Sequence, residues 1–286
     1  EWEKMTKDMT NLSKGPGART LAEEAKVSRY WAEKFVANRK EKDRRKRNRT
    51  AKARRNGLRV IEGGVVTTMY GKHIGRQEEK RIEMQALRDR CDLFYEVAVV
   101  GIRMDAETLA RKADAYLKAN PRVLVLQTDF HPVFRSRVFQ KMLRGNLVAW
   151  YPSLPHTPQH NPIAEQGMRE ADGFFPPGGV SSVEEGVICA DRAFLTLNTA
   201  RPRPSRGGLT SEALRLHRPL RVEISRFVFY SEAVRTKRRL RREAEPGVRA
   251  RRMANRRAVE ETLIKFGLAR RILGTALQTA VRAGKN

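Results

Sequence analysis

The chain has 286 residues, of which 59 are Lys or Arg and 32 are Asp or Glu, giving a formal net charge of +27. That length predicts more than one domain but not many, and a hydrophobic fraction of 40% is slightly low yet enough for one sizeable core. The cationic surplus goes far beyond what solubility needs and draws a polyanion to the surface. Nucleic acid is the leading partner, because Lys and Arg neutralising phosphates supply most non-specific affinity. An anionic membrane ranks well behind: no apolar run approaches the roughly 18 residues of a span, and the basic runs lack an interleaved apolar face. Cys91 and Cys189 lie far apart without a CxxC pair, so neither a disulfide framework nor a thiolate metal site is expected, as suits a reducing cytosol. No secretory signal opens the chain, and the expected location is cytoplasmic, nucleoid-associated in a prokaryote. The first residue is Glu1 rather than Met, which is compatible with a longer natural chain.

Residues 1–37 predict two short helices. Leu21, Ala22 and Ala25 share one face, Val27-Ser28 interrupt it, and Tyr30, Trp31, Ala32 and Phe35 resume the periodicity with Ser28 as N-cap. This is the outline of a helix-turn-helix, with Arg29, Lys34 and Arg39 free for phosphates or base edges; an ordinary helical hairpin gives the same pattern. Residues 38–57, "NRKEKDRRKRNRTAKARRNG", contain almost no apolar side chain and predict a solvated linker. Its Arg44, Arg45, Lys46 and Arg47 add phosphate contacts.

From Leu58 the texture becomes β-rich. "LRVIEGGVVTTMY", "KRIEMQALRDRC" and "LFYEVAVVGI" predict three strands separated by Gly-rich or charged turns. "DAETLARKADAYLKAN" predicts a helix capped by Asp105 and stopped at Asn120-Pro121. "RVLVLQTD" predicts a buried strand, "SRVFQKMLRG" a helix and "NLVAWYP" a fifth strand. The stiff segment "SLPHTPQHN" then leads to a helix opening on Pro162, a position where the missing N–H costs nothing. An antiparallel three-stranded meander followed by helix crossovers predicts an α/β fold with a mixed five-stranded sheet flanked by helices. After Gly178-Gly179 the chain turns basic and helical, with few residues expected in a core. The expected domains are 1–37, 38–57, a core over 58–180, and a basic, mainly helical region over 181–286.

Two carboxylates stand out by position. Asp129 ends the buried strand, where α/β sheets place their sites, and Glu165 lies in the first turn of the helix after strand five. Converging oxygen ligands suit Mg²⁺ or Mn²⁺ rather than Zn²⁺, and two such ions about 4 Å apart can activate and stabilise oxygens on phosphate. Equally, an Asp after a strand caps helices, and a Glu in a first turn complements the dipole.

Three segments resemble the DDE integrase/transposase superfamily, whose catalytic core is RNase H-like. "LQTDFHPVFRSRVFQKML" resembles the block around the second acid, and "SLPHTPQHNPIAEQGMRE" the block ending in the third. "MYGKHIG" with "ALRDRCDLFYEVAVVG" resembles the first two strands. Thirty-five residues separate Asp129 from Glu165, the interval for which many members are named. The resemblance covers roughly residues 58–175. It implies metal-dependent cleavage and strand transfer of DNA in transposition and integration. It also implies Mg²⁺ or Mn²⁺ held by Asp129 and Glu165, transposon ends and target DNA as partners, and a homo-oligomer on DNA.

The first acid does not carry over. Tyr70 stands where the strand should end in Asp, and a neutral phenol is a poor ligand for Mg²⁺. Phe130-His131 replace the usual Asn-Gly, and Pro162 replaces a common Gly. Glu62 is about 26 Å of strand away, and Asp89 and Asp92 belong to a turn, so none replaces the lost acid. The expectation is therefore a transposase-like DNA-binding protein with weakened or lost cleavage. A catalytically inactive relic or repurposed copy is the second reading, and a basic RNA-associated structural protein the third. His131, His156 and His160 lack a fourth ligand for zinc. Arg169, one turn after Glu165, is a candidate phosphate contact. Trp150-Tyr151 and Phe174-Phe175 are expected in the core.

Overall fold

The computed structural model describes residues 57–153, 162–217 and 223–272, together with scattered positions between 19 and 38. The chain divides into two compact units, Leu58–Arg271 in one and Glu1–Gly57 with Ile272–Asn286 in the other. In the smaller unit, Arg19, Ala22 and Glu23 are helical, Lys26 turns the chain with φ 49°, and helix resumes at Arg29, Ser28 accepting the Ala32 N–H through its carbonyl. Ala32 and Val36, one turn apart, are its buried face.

The larger unit is built on strands β1 (Gly57–Val60), β2 (Val66–Gln77), β3 (Lys80–Asp89), β4 (Tyr95–Ile102), β5 (Val125–Thr128), β6 (Ala149–Pro152) and β7 (Ala269–Ile272). The five central strands lie in the order β4-β3-β2-β5-β6, while β1 and β7 form a separate pair. β2, β3 and β4 are antiparallel, and β5 and β6 are parallel to β2. This is the mixed five-stranded sheet that the hydrophobic pattern predicted. Helices α1 (Ala106–Ala119), α2 (Pro132–Arg135), α3 (Arg137–Gly145), α4 (Pro162–Asp172), α5 (Val183–Thr199), α6 (Ser211–Leu216), α7 (Arg226–Glu243) and α8 (Val248–Lys265) complete it. Asp105 caps α1 by accepting the Thr108 N–H at 2.7 Å, and Ser136 caps α3 through the Phe139 N–H at 3.2 Å.

Side-chain alternation divides the sheet into two faces. Met69, Leu87 and Leu126 point to α1 and α3, where Leu109, Phe139 and Leu143 close one core. Tyr70, Met84 and Ala86 point the other way, to α4 and α5. On that second face, the β5–β6 half is covered by the α7–α8 hairpin through Phe229, Val259 and Leu263.

Two expectations are corrected. The first core strand does not end at Tyr70: β2 runs on to Gln77, and a two-residue turn at Glu78-Glu79 (φ 47° and 61°) leads into β3. Gly71 and Gly75 lie inside β2, each at a point of close approach. A Cβ at Gly75 would overlap the Val180 backbone, which bridges to that residue. The region after Gly179 was expected to give little to a core. Instead Phe194, Leu197, Phe229 and Leu263 are buried. The final helix also stops at Lys265, so that "ARRI" becomes β7 beside β1.

Replacing Phe229 by Ala empties a fully buried ring site and is expected to cost about 3–5 kcal/mol, measured as a lowered urea midpoint at unchanged slope. A loss below about 0.5 kcal/mol, the usual range of a surface substitution, would show that α7 adds nothing to the folding unit.

Candidate active site

Tyr70 is the fifth residue of β2, opposite Ala86 of β3, and only 2% exposed. Helix α4 lies directly over it. A Cβ at Gly167 would overlap the Tyr70 hydroxyl, so glycine at that position lets the helix close on the ring. The neighbouring Tyr95 directs its own proton to the Gly167 carbonyl at 3.0 Å and to Glu170 at 3.1 Å. The Tyr70 hydroxyl meets no partner in good hydrogen-bond geometry, and the nearby Tyr95 hydroxyl offsets only a little of its burial. Burial pushes its pKa up to about 12, with the Arg88 guanidinium opposing the shift, and the phenol is neutral at any working pH.

What fixes α4 is a buried ion triad. Glu170 meets Arg88 of β3 at 3.0 Å and Arg203, which follows α5, at 2.7 Å. Arg88 also donates to the carbonyls of Leu93 (2.9 Å) and Ile163 (3.2 Å). Arg203 donates to Ser211 Oγ (3.1 Å) and the Leu197 carbonyl (3.0 Å). The cost of burying such charges is offset only by this degree of satisfaction. Burial works against the Glu170 carboxylate, but the guanidiniums of Arg88 and Arg203 outweigh it and hold its pKa below the ordinary glutamate value. Sequence reasoning missed Glu170, Arg88 and Arg203 because nothing local distinguishes a buried charge from a solvated one.

Asp129 directly follows β5, is exposed, and accepts the His131 N–H at 2.9 Å. It lines a cavity of about 190 Å³ with Gly71, Lys72, His73, Glu83 and Gln85. Glu165 lies in the first turn of α4, half-buried. Both acids therefore belong to elements set around the Tyr70–Lys72 stretch of β2. Among the described contacts none joins Asp129 to Glu165, and among the described residues no group of three His, Cys, Asp or Glu is placed to hold a metal ion. Lys72, which carries no signal in the sequence, faces the same side as Tyr70 and pairs with Asp172 at the end of α4.

Of the other candidates, Glu62 is buried and bound to Arg122 at 3.0 Å. Asp89 accepts the backbone N–H groups of Gly64, Cys91 and Asp92, which makes it a turn organiser. His131 caps α2; His156 and His160 lie outside the described residues. Tyr151 is in the core, and Trp150, Phe174 and Phe175 are packed against it. Arg169 is exposed on α4. Arg29 pairs with Glu33 at 3.0 Å on an exposed face, Lys34 lies over the Tyr30 ring at 5.6 Å, and Arg39, Arg44, Arg45, Lys46 and Arg47 lie outside the described residues.

A bridged pair of divalent cations needs three converging carboxylates or their equivalent. The position that the motif resemblance gives to the first acid holds Tyr70, a neutral phenol sealed beneath α4, and an ammonium stands two residues further along the same strand face. The residues present do not fit a two-cation site.

The chain is structurally similar to retroviral integrase catalytic cores at low sequence identity. A chain of the simian T-cell lymphotropic virus intasome, solved in complex with a PP2A regulatory subunit, matches at 13% identity and TM-score 0.48 over 59% of each chain. The BIV integrase catalytic core matches at 19% identity and TM-score 0.42, covering 54% of this chain and 94% of that one. The HTLV-2 integrase catalytic core in complex with magnesium, in its dimeric form, matches at 13% and 0.40, covering 54% and 98%. No protein-family model and no curated protein matches. The strand order, directions and crossover helices define an α/β fold on a mixed five-stranded sheet.

Glu170→Ala leaves two buried guanidiniums uncompensated and is expected to cost about 3–5 kcal/mol, read from urea unfolding at pH 7. Because the folded pKa of Glu170 lies below its unfolded value, its contribution is present above the unfolded pKa and lost as pH falls through the folded one. Wild-type stability should thus fall below about pH 4.5, and this component should be missing from Glu170→Gln. Tyr70→Phe removes an unpartnered buried hydroxyl and is expected to raise stability by about 1 kcal/mol; a loss of that size would reveal a hydrogen bond at the phenol.

Proposed function

We propose that the chain is a transposase- or integrase-like DNA-binding protein whose RNase H-like core no longer carries efficient phosphodiester cleavage or strand transfer. The observation that carries this reading is Tyr70: it occupies the mid-strand position facing α4, neutral, buried and closed over by Gly167. The integrase-core-like fold is that of polynucleotidyl transferases, and by motif resemblance Asp129 and Glu165 are its second and third acids. Two carboxylates can hold at most one Mg²⁺ or Mn²⁺, and weakly beside the Lys72 ammonium. DNA affinity does not depend on that site. It rests on the +27 charge, on Arg29, Lys34 and Arg39 of residues 1–37, on Arg44, Arg45, Lys46 and Arg47 of the linker over 38–57, and on Arg169. The core over 58–180 and the basic region over 181–286 then act together on DNA as a homo-oligomer. Among the described residues no helix is long and apolar enough to cross a membrane.

The retained pair Asp129 and Glu165 favours one second reading, a slow enzyme working on a single cation. A nicking assay on supercoiled DNA with Mg²⁺ or Mn²⁺ separates the two. The wild type is expected to leave the plasmid intact. Nicking that disappears in Asp129→Ala would establish the enzyme instead. In parallel, binding to a labelled duplex should weaken by about 10³–10⁵ between 50 and 200 mM salt if six to ten phosphates are contacted. Preference for structured RNA over duplex at matched salt would point to an RNA-associated protein.

A further inference from the structure

The α7–α8 hairpin buries one face on β6 and carries cations on the other. Many have acidic partners: Arg235 and Lys265 share Glu232, Arg239 takes Glu243 and Glu261, and Arg256 takes Glu260. One group does not. Between α3, β6 and the hairpin lies a cavity of about 110 Å³, lined mostly by apolar side chains such as Leu143 and Val259, with Trp150, Arg144, Lys237 and Asn255 supplying its aromatic and polar wall. Lys237 is half-buried there. Burial, followed by the charges of Arg241, Arg144 and Arg238, lowers its pKa below the ordinary lysine value.

Among the described residues no carboxylate forms an ion pair with Lys237, Arg144, Arg238 or Arg241; Arg241 has only the Asn255 side-chain oxygen, at 3.0 Å. The carbonyl end of α3 beside Arg144 supplies no more than about half a negative charge. Two cations in the wall of the cavity, Arg144 and Lys237, with the exposed Arg238 and Arg241 acting on Lys237 from outside it, are therefore a net penalty to the folded chain, and an anion in the cavity would relieve it.

The cavity connects to the candidate active site. Trp150 in its wall stacks on Phe130, ring centroids 6.0 Å apart. The guanidiniums of Arg135 and Arg252 lie 4.9 and 4.4 Å from the Phe130 centroid. Phe130 is the residue after Asp129. Cations and half-buried rings thus continue from Asp129, past Phe130 and Trp150, to Lys237.

We propose that the Arg144–Lys237 cavity seats a backbone phosphate of DNA, and that Phe130, Arg135, Trp150 and Arg252 guide the strand between that seat and Asp129. The proposal rests on the DNA-binding reading above and adds where on the core the backbone lies. Guanidinium forks suit phosphate oxygens, and Lys237 adds a point charge in the pocket.

The test uses the full chain. Arg144→Gln/Lys237→Gln, Lys237→Arg and Lys118→Gln, the last a single exposed cation paired on α1, are compared with wild type by fluorescence anisotropy on a labelled duplex at several salt concentrations. Thermal unfolding is followed with and without inorganic phosphate at constant ionic strength. The double variant is expected to flatten the log–log salt slope by about one to two units, roughly 0.9 for each phosphate it no longer neutralises. Lys237→Arg should keep the slope, and Lys118→Gln should change it by less than about half a unit. In phosphate-free buffer the double variant should melt at or above the wild-type Tm, since it sheds like-charge repulsion, so weaker binding cannot be ascribed to misfolding. An unchanged slope in the double variant, with wild type binding DNA, overturns the seat and leaves the DNA-binding reading standing. If wild type binds no duplex but inorganic phosphate raises its Tm and the double variant abolishes that rise, the pocket takes a free anion; the backbone proposal falls together with the DNA-binding reading. No response to either probe overturns both.

Discussion

Glu170 sits between two buried guanidiniums, and the position of α4 follows from that. Arg88 comes from the middle of the meander, and Arg203 from the segment after α5. The carboxylate can satisfy both only if α4 lies at one height and rotation over β2 and β3. That placement brings Gly167 onto Tyr70 and sets where Glu165, in the first turn of the helix, stands. It is enforced by desolvation: each guanidinium without the carboxylate would be a bare charge in an apolar core. The apolar contacts of Ala164 and Ala171 hold α4 down, whereas the ion triad sets its register.

The same arrangement accounts for the character of the site. A helix locked this close to the sheet leaves room for a flat phenol and none for a hydrated cation at its hydroxyl. Tyr70 accordingly behaves as a core residue, with its acidity suppressed by burial. Lys72, on the same strand face, is tied to Asp172 on the far end of α4, so the charge that stands near the crevice also fastens the helix. Asp129, by contrast, is exposed at the end of β5 and borders a cavity of its own. The side chains that β2 turns towards α4, Tyr70 and Lys72, thus stabilise the fold.

Positive charge and the candidate site lie on different elements of this chain. Among the described residues, α7 and α8 carry exposed Arg and Lys side chains outside the sheet. The α7–α8 hairpin reconciles two demands by giving one helical face to the core, through Phe229 and Leu263, and the other to cations, many of them paired with acids. Tyr151 joins the two: its ring lies under the guanidinium of Arg256, 4.1 Å away, and its hydroxyl donates to Glu260 at 2.6 Å. A basic surface is thereby anchored rigidly to the end of β6, next to the strand that leads to Asp129.

The sequence by itself determined the strand and helix order of the core, because period-2 and period-3.6 patterns, the Asp105 cap and the Asn120-Pro121 stop are local signals that survive without knowledge of neighbours. It also determined the charge and singled out Asp129 and Glu165 by their positions after a strand and in the first turn of a helix. Other features needed the tertiary structure. Gly71 and Gly75 are breakers by composition, yet they lie inside β2 because Gln85 and Val180 come too close for a Cβ; the turn at Glu78-Glu79 carries no Gly, Asn or Pro to announce it. The region after Gly179 reads as basic and solvated, since its apolar residues are sparse. They become core only because they fall on the faces that β3, β4 and β6 expose. Glu170, Arg88 and Arg203 are ordinary surface residues in one dimension. Their partnership arises from chain segments 82 and 33 residues apart, and only packing creates the low-dielectric interior in which those charges must find one another.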